Sequence, residues 1–104
     1  MICVDQLRKC GAPWHGGEAC HMISDESIYE LYGFARQLGL SWSWFQPRSI
    51  PHFDIAPRFR ERAIQLGAVA LERRAFVEAM RRFRAANRQY LVDLATQAST
   101  RRRR

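Results

Sequence analysis

Two short stretches decide the fold: ARQLGL at residues 35–40 and AIQLGA at residues 63–68. Each reads as a helix end, a glycine stop and the start of a strand. A helix feeding a strand twice in succession predicts α/β layer packing. Upstream of the first stretch, Ser24-Asp25-Glu26 offers a capping side chain and two acids in a first helical turn, where the helix dipole favours them. Ile28, Leu31, Phe34, Ala35 and Leu38 then recur at helical spacing up to Gly39. Upstream of the second stretch, Pro57 suits a helix start, and that helix runs to Leu66.

Short apolar runs supply the strands. Ile2-Cys3-Val4 reads as a buried strand with Asp5 at its C-terminal end, and Cys20 to Ile23 as a brief second one. Leu40 to Phe45 is predicted as a strand with Trp42 and Trp44 on one face. His52 to Ile55 alternates in the same way, and Ala68 to Leu71 forms a last short strand. Residues 6–19, with three glycines and a proline, read as a long loop. From Arg73 to about residue 96 an apolar stripe (Phe76, Met80, Phe83, Tyr90 or Leu91, Leu94) predicts one long basic helix. The fold class is therefore α/β: a small sheet of three to four short strands packed by two helices, plus a long C-terminal helix. Residues 1–72 form the core domain, 73–96 the helix, and 97–104 an arginine-rich tail expected to be disordered.

Composition bounds the function. The 104 residues are 47% apolar and 12% aromatic, which fits one folded domain. No apolar run reaches the roughly 20 residues of a membrane span, and no leader pattern opens the chain. Three cysteines without zinc spacing read as reduced thiols, so a cytoplasmic location is expected. Residues 1–71 carry seven bases and seven acids, whereas residues 72–104 carry ten arginines and three acids. The whole net charge of +7 thus lies in the last third.

The chemistry-bearing residues concentrate between Trp44 and Arg62, WFQPRSIPHFDIAPRFRER. His52 and Asp54, two apart on a predicted strand, point to one face. With Asp5 and His21 they offer two imidazoles and two carboxylates to one sheet edge. Such a set can hold a divalent metal for phosphoester hydrolysis, or act as a His–Asp general base pair. The plain alternative has Asp54 bracing the second helix while His21 and His52 hydrogen-bond in the core. Arg58 and Arg62, four apart near a helix start, can grip a phosphate, or form an ordinary salt-bridged face with Glu61. Trp44 beside Gln46 is the better aromatic ligand candidate, while Trp42 and Phe45 read as core. His15, next to Trp14 in the glycine-containing loop, is a weaker candidate.

The order and spacing of several of these residues resemble a known family. The strand ending in Asp5, then Trp14, Cys20-His21, Asp25, Glu30-Leu31, Phe34-Ala35, Leu38-Gly39-Leu40, Trp44-Phe45-Gln46, His52-Phe53-Asp54 and Leu66-Gly67-Ala68-Val69 are similar to the bacterial and phage "domain of unknown function 4031" family. The resemblance covers about residues 1–80. The family commonly has Tyr where Phe53 stands, and a hydroxyl residue where Ala56 stands. The resemblance implies a small cytoplasmic bacterial or phage protein with Asp5, His21, Trp44, Gln46, His52 and Asp54 on motif positions, and it brings no activity with it.

Three readings follow. The first is a binding protein for phosphate-bearing ligands, nucleic acid or a nucleotide foremost. It would use Arg74, Arg81, Arg82, Arg84, Arg88 and the tail Arg101, Arg102, Arg103 and Arg104, together with the central His/Asp/Trp/Gln pocket. The second is a metal-dependent phosphoesterase or nuclease using Asp5, His21, His52 and Asp54, with a divalent metal as its cofactor. The third is a phage accessory or anti-defence protein binding a host protein or nucleotide signal. The apolar stripe of the last helix would also serve a homodimer.

Overall fold

The computed structural model describes residues 1–11, 16–47 and 50–102, and the side chains among these up to residue 97. Trp14, His15, Arg103, Arg104 and the side chains of Arg101 and Arg102 lie outside that description. The strands are β1 (Ile2–Val4), β2 (Arg8–Lys9), β3 (Glu18–Ser24), β4 (Phe45–Gln46), β5 (His52–Ile55) and β6 (Val69–Ala70). The helices are α1 (Ile28–Leu38), α2 (Pro57–Gln65), α3 (Arg73–Ala86) and α4 (Arg88–Arg102). The sheet runs β4-β5-β3-β1-β6, with β2 pairing β3 beside this path. All pairs are antiparallel except β1 with β6, so the sheet is mixed.

The echo between the two opening stretches is structural. Leu40 N–H bonds the Ala35 carbonyl at 3.0 Å, and Ala68 N–H bonds the Ala63 carbonyl at 2.9 Å. Both close a helix around a glycine of positive φ, Gly39 at 81° and Gly67 at 111°. A side chain at either position would be strained.

Period-two alternation divides the sheet into two faces. On one, Val4, Met22, Phe53 and Ile55 pack against Leu31, Ala35 and Leu38 of α1 and Ala63 of α2. On the other, Cys3, Ile23 and Ile50 pack against Phe76, Ala79 and Phe83 of α3. Burying each of these larger side chains is worth about 1.5–3 kcal/mol. The result is three layers: α1 and α2, the sheet, then α3.

Several expectations are corrected. Ser27, three residues later than expected, caps α1 by accepting the Glu30 N–H, while Ser24 Oγ accepts the N–H groups of Glu26 and Ser27. Residues 42–44 form a 3₁₀ turn rather than a strand, because Trp42 stacks flat on Phe45 with ring centroids 5.3 Å apart. Only a tight turn brings residues three apart into such contact. The glycine-containing loop holds β2, which pairs with the start of a longer β3. The sheet has more strands than the three to four expected because β2 and β4 are two residues each, too short to alternate visibly, whereas β6 falls inside the strand expected at 68–71.

The single helix expected over 73–96 is two helices, divided at Asn87 (φ −128°, ψ 34°). The Asn87 side chain donates to the carbonyls of Glu26 and Phe83, tying the end of α3 to the turn before α1. This anchor holds residue 87 off helical geometry. α4 restarts with Tyr90 packed on the α1 layer, and it stays helical through Arg102, where a disordered tail from residue 97 was expected.

Candidate metal centre

Strand register assembles the site. His21 of β3 stands opposite Asp54 of β5, and Gln46 of β4 stands opposite His52. Asp5, one residue past β1, continues that strand's register onto His21, with Asp5 N–H bonded to the His21 carbonyl at 3.2 Å. Asp5, His21, Asp54 and His52 therefore share the α3 face of the sheet. α3 covers the Cys3–Ile23 end of that face with Phe76 and Phe83 and leaves the polar end accessible.

Hydrogen bonds fix both imidazoles. Asp5 is buried, and its carboxylate accepts the His21 backbone N–H at 2.6 Å and the His21 Nδ1–H at 2.8 Å. His52 Nδ1 lies 2.7 Å from the Ile50 carbonyl, which can only accept. In each neutral ring the proton thus sits on Nδ1, and the Nε2 lone pair is free. Both Nε2 atoms face Asp54 Oδ1 at 3.6 Å, beyond hydrogen-bond range. The rings meet edge to face with centroids 5.3 Å apart. The hydrogen bond to Asp5 raises the His21 pKa against the opposing effect of burial, and the charges of Asp5 and Asp54 add to the rise.

Three lone-pair donors, two imidazole nitrogens and one carboxylate oxygen, thus lie within 4.8 Å of one another. Ligands about 2.0–2.1 Å from a tetrahedral ion stand roughly 3.3–3.4 Å apart. The two separations to Asp54 Oδ1, 3.6 Å each, need only a small contraction, and the two imidazoles lie within the 4.8 Å that bounds the whole set. Asp5 does not point at this gap: it orients His21 from behind, as carboxylates commonly do for metal-bound histidines. Asp54 does not cap α2, whose cap position is Ala56 without a side-chain bond.

A cavity of about 290 Å³ opens beside His21 and His52. Its apolar wall includes Ile23, Phe76 and Met80, and its cations are Arg8 and Arg73. These two arginines escaped sequence reasoning: one sits in a stretch read as a loop, and the other opens α3 one residue before the arginines assigned to nucleic-acid binding. Arg60 was also passed over. Its Nε donates to the Asp5 carbonyl at 2.9 Å, fixing the backbone that carries Asp5. The divergence of residues two apart on a helix explains the choice, since Arg58 and Arg62 lie on another side. Both are exposed, with Arg58 over the Phe59 ring. Trp44 meets the same Phe59 edge to face, in the α1 and α2 layer across the sheet from the histidines. Gln46 is the one aromatic-run neighbour brought next to the cluster.

Arg74, Arg81, Arg84 and Arg88 are exposed along α3 and the start of α4. Arg82 differs, because its Nε bonds Asp25 at 3.1 Å and so ties α3 to the start of α1. No helix of the described residues is long and apolar enough to cross a membrane. A family model described as "Protein of unknown function (DUF4031)" matches residues 2–83. No curated protein and no solved structure matches the chain.

Proposed function

The chain belongs to the DUF4031 family, and we propose that it is a metal-dependent hydrolase of phosphate esters centred on His21, His52 and Asp54. One observation carries the reading. In their neutral forms both imidazoles give their Nδ1–H to an outer acceptor, so that two Nε2 lone pairs and a carboxylate oxygen converge. Such a grouping repels itself until a cation occupies it. Two nitrogens and one oxygen suit zinc and its first-row neighbours. Three protein ligands on a half-exposed face leave a position free for water or substrate.

A divalent ion there would supply Lewis acidity and lower the pKa of a bound water. The protein's own groups do the rest. Asp5 and Ile50 hold the rings in register, and Arg8 and Arg73 balance the negative charge of a phosphate ester. In the hydrolysis, the water oxygen bonds phosphorus as the ester P–O bond breaks, and the water proton leaves on the departing alcohol.

The same ligand set serves iron in oxygen-activating enzymes; the two guanidiniums at the cavity favour the phosphate ester. Calorimetric titration with Zn²⁺, Mn²⁺ and Co²⁺ should give one site, weakened more than about 100-fold in His52→Ala and Asp54→Ala. The metal-loaded protein should cleave bis(p-nitrophenyl) phosphate, and both variants should lose that activity. Absence of a cluster-dependent metal site, or iron-dependent oxygen uptake without ester cleavage, overturns the reading.

A further inference from the structure

The outer surface of α3 forms a track that begins at the cavity. Arg73 and Val77 line the cavity beside the histidines and also the adjoining depression, which reaches Arg81. Arg81 is shared in turn with a third depression that holds Arg84 and Arg88. From Arg73 to Arg84 this covers eleven helical steps, about 16 Å at 1.5 Å each. Among the described residues none of Arg73, Arg81, Arg84 and Arg88 has a carboxylate within 4.0 Å, whereas Arg82, on another side of α3, has Asp25. Among the described residues lining the two depressions beyond the cavity, Glu78 is the one acid. Residues 1–71 are charge-neutral, so the positive field of the molecule is concentrated around this helix and beyond.

A ligand that fits such a track is a linear polyanion. The cavity at its end adds a second requirement, because its wall of Ile23, Phe76 and Met80 suits a flat apolar unit rather than a bare phosphate. A volume of about 290 Å³ has room for one such unit. A chain of phosphates whose repeating unit carries a flat base meets both conditions. We propose that a single polynucleotide strand lies along α3 with its phosphates on Arg81, Arg84 and Arg88, and delivers its terminal nucleotide to the cavity beside His21, His52 and Asp54. Binding along the track stands by itself; cleavage rests on the metal-centre reading. There, water adds its oxygen to the terminal phosphodiester phosphorus, the bond to the neighbouring sugar oxygen breaks, and that oxygen takes the proton. The strand shortens by one nucleotide.

The test uses the full chain and a labelled single-stranded oligodeoxynucleotide, with fluorescence anisotropy read in EDTA and across a salt series. Affinity should fall steeply with salt. The triple variant Arg81→Glu, Arg84→Glu, Arg88→Glu should bind at least tenfold more weakly and lose about 2 from the log–log salt slope, at about 0.7 per phosphate contact. Arg36→Glu, an exposed charge reversal on α1, should change neither. Equal binding by the wild type and the triple variant overturns the track. So does a triple variant whose only change is in self-association by light scattering. Track binding in a protein that shows no calorimetric metal site upholds this proposal while removing the metal centre. With metal present, a linear strand should shorten and a circular one resist; equal cutting of both overturns terminal delivery.

Discussion

The two faces of the central sheet are written by the same strands, residue by residue, yet they have opposite fates. Val4, Met22, Phe53 and Ile55 point into a layer sealed by two helices. Their neighbours Asp5, His21, Asp54 and His52 point to the other side, where one helix covers only part of the surface. α1 and α2 close their face because each presents its apolar stripe to it. α3 spends its stripe on Cys3, Ile23 and Ile50 and leaves the polar end open. The closed face holds the fold together, and the open one is free to carry groups that folding alone would not select.

Breaking the closed face should have the largest effect. Phe53 is fully buried, so Phe53→Ala should cost about 3–5 kcal/mol in denaturant unfolding. The adjacent His52→Ala, which removes a ligand from the open face, should leave the unfolding free energy within about 1 kcal/mol of wild type. If the two variants unfold alike, the division of labour between the faces is wrong.

A smaller effect is expected one step behind the cluster. In Asp5→Asn the retained oxygen still accepts the His21 backbone N–H, but the new amide donates to Nδ1 and moves the ring proton to Nε2. Metal affinity should fall about 10–100-fold with the fold intact, as calorimetry and circular dichroism would show. An unchanged affinity would mean that Asp5 does not set the tautomer.

The smallest effect is kinetic and compares the covers of the two faces directly. Burial raises the Cys3 thiol to about 11, on the α3 side, and the Cys20 thiol to about 12, on the α1 and α2 side. A disulfide reagent at pH 8 should modify Cys10 alone in the native protein, with Cys3 and Cys20 reacting only on unfolding. Fast reaction of Cys3 would show that α3 opens while the other layer stays shut.

Much of the fold was legible because its signals are local. Gly39 and Gly67 announced both helix ends, and the alternation of His52 to Ile55 placed imidazole and carboxylate on one face. The 3₁₀ turn at Trp42 was not legible, because it depends on a ring stack that competes with an equally plausible strand pattern. Nor was the break at Asn87, which is held by the carbonyl of Glu26 sixty-one residues earlier. In the site, His21, His52 and Asp54 were named in advance, but Asp5 was cast as their equal. Only the register between β1 and β3 shows that its carboxylate is occupied with His21 Nδ1 and the backbone.

The sequence by itself determined the α/β class, both glycine-stopped helices, the neutral first two-thirds and the basic last third, since each follows from neighbouring residues or from simple counting. The tertiary structure decided which lone pairs face one another, which arginines meet the cavity and which one is paired with Asp25. Those outcomes depend on strand register and helix docking, where a shift of one residue turns a side chain to the opposite face.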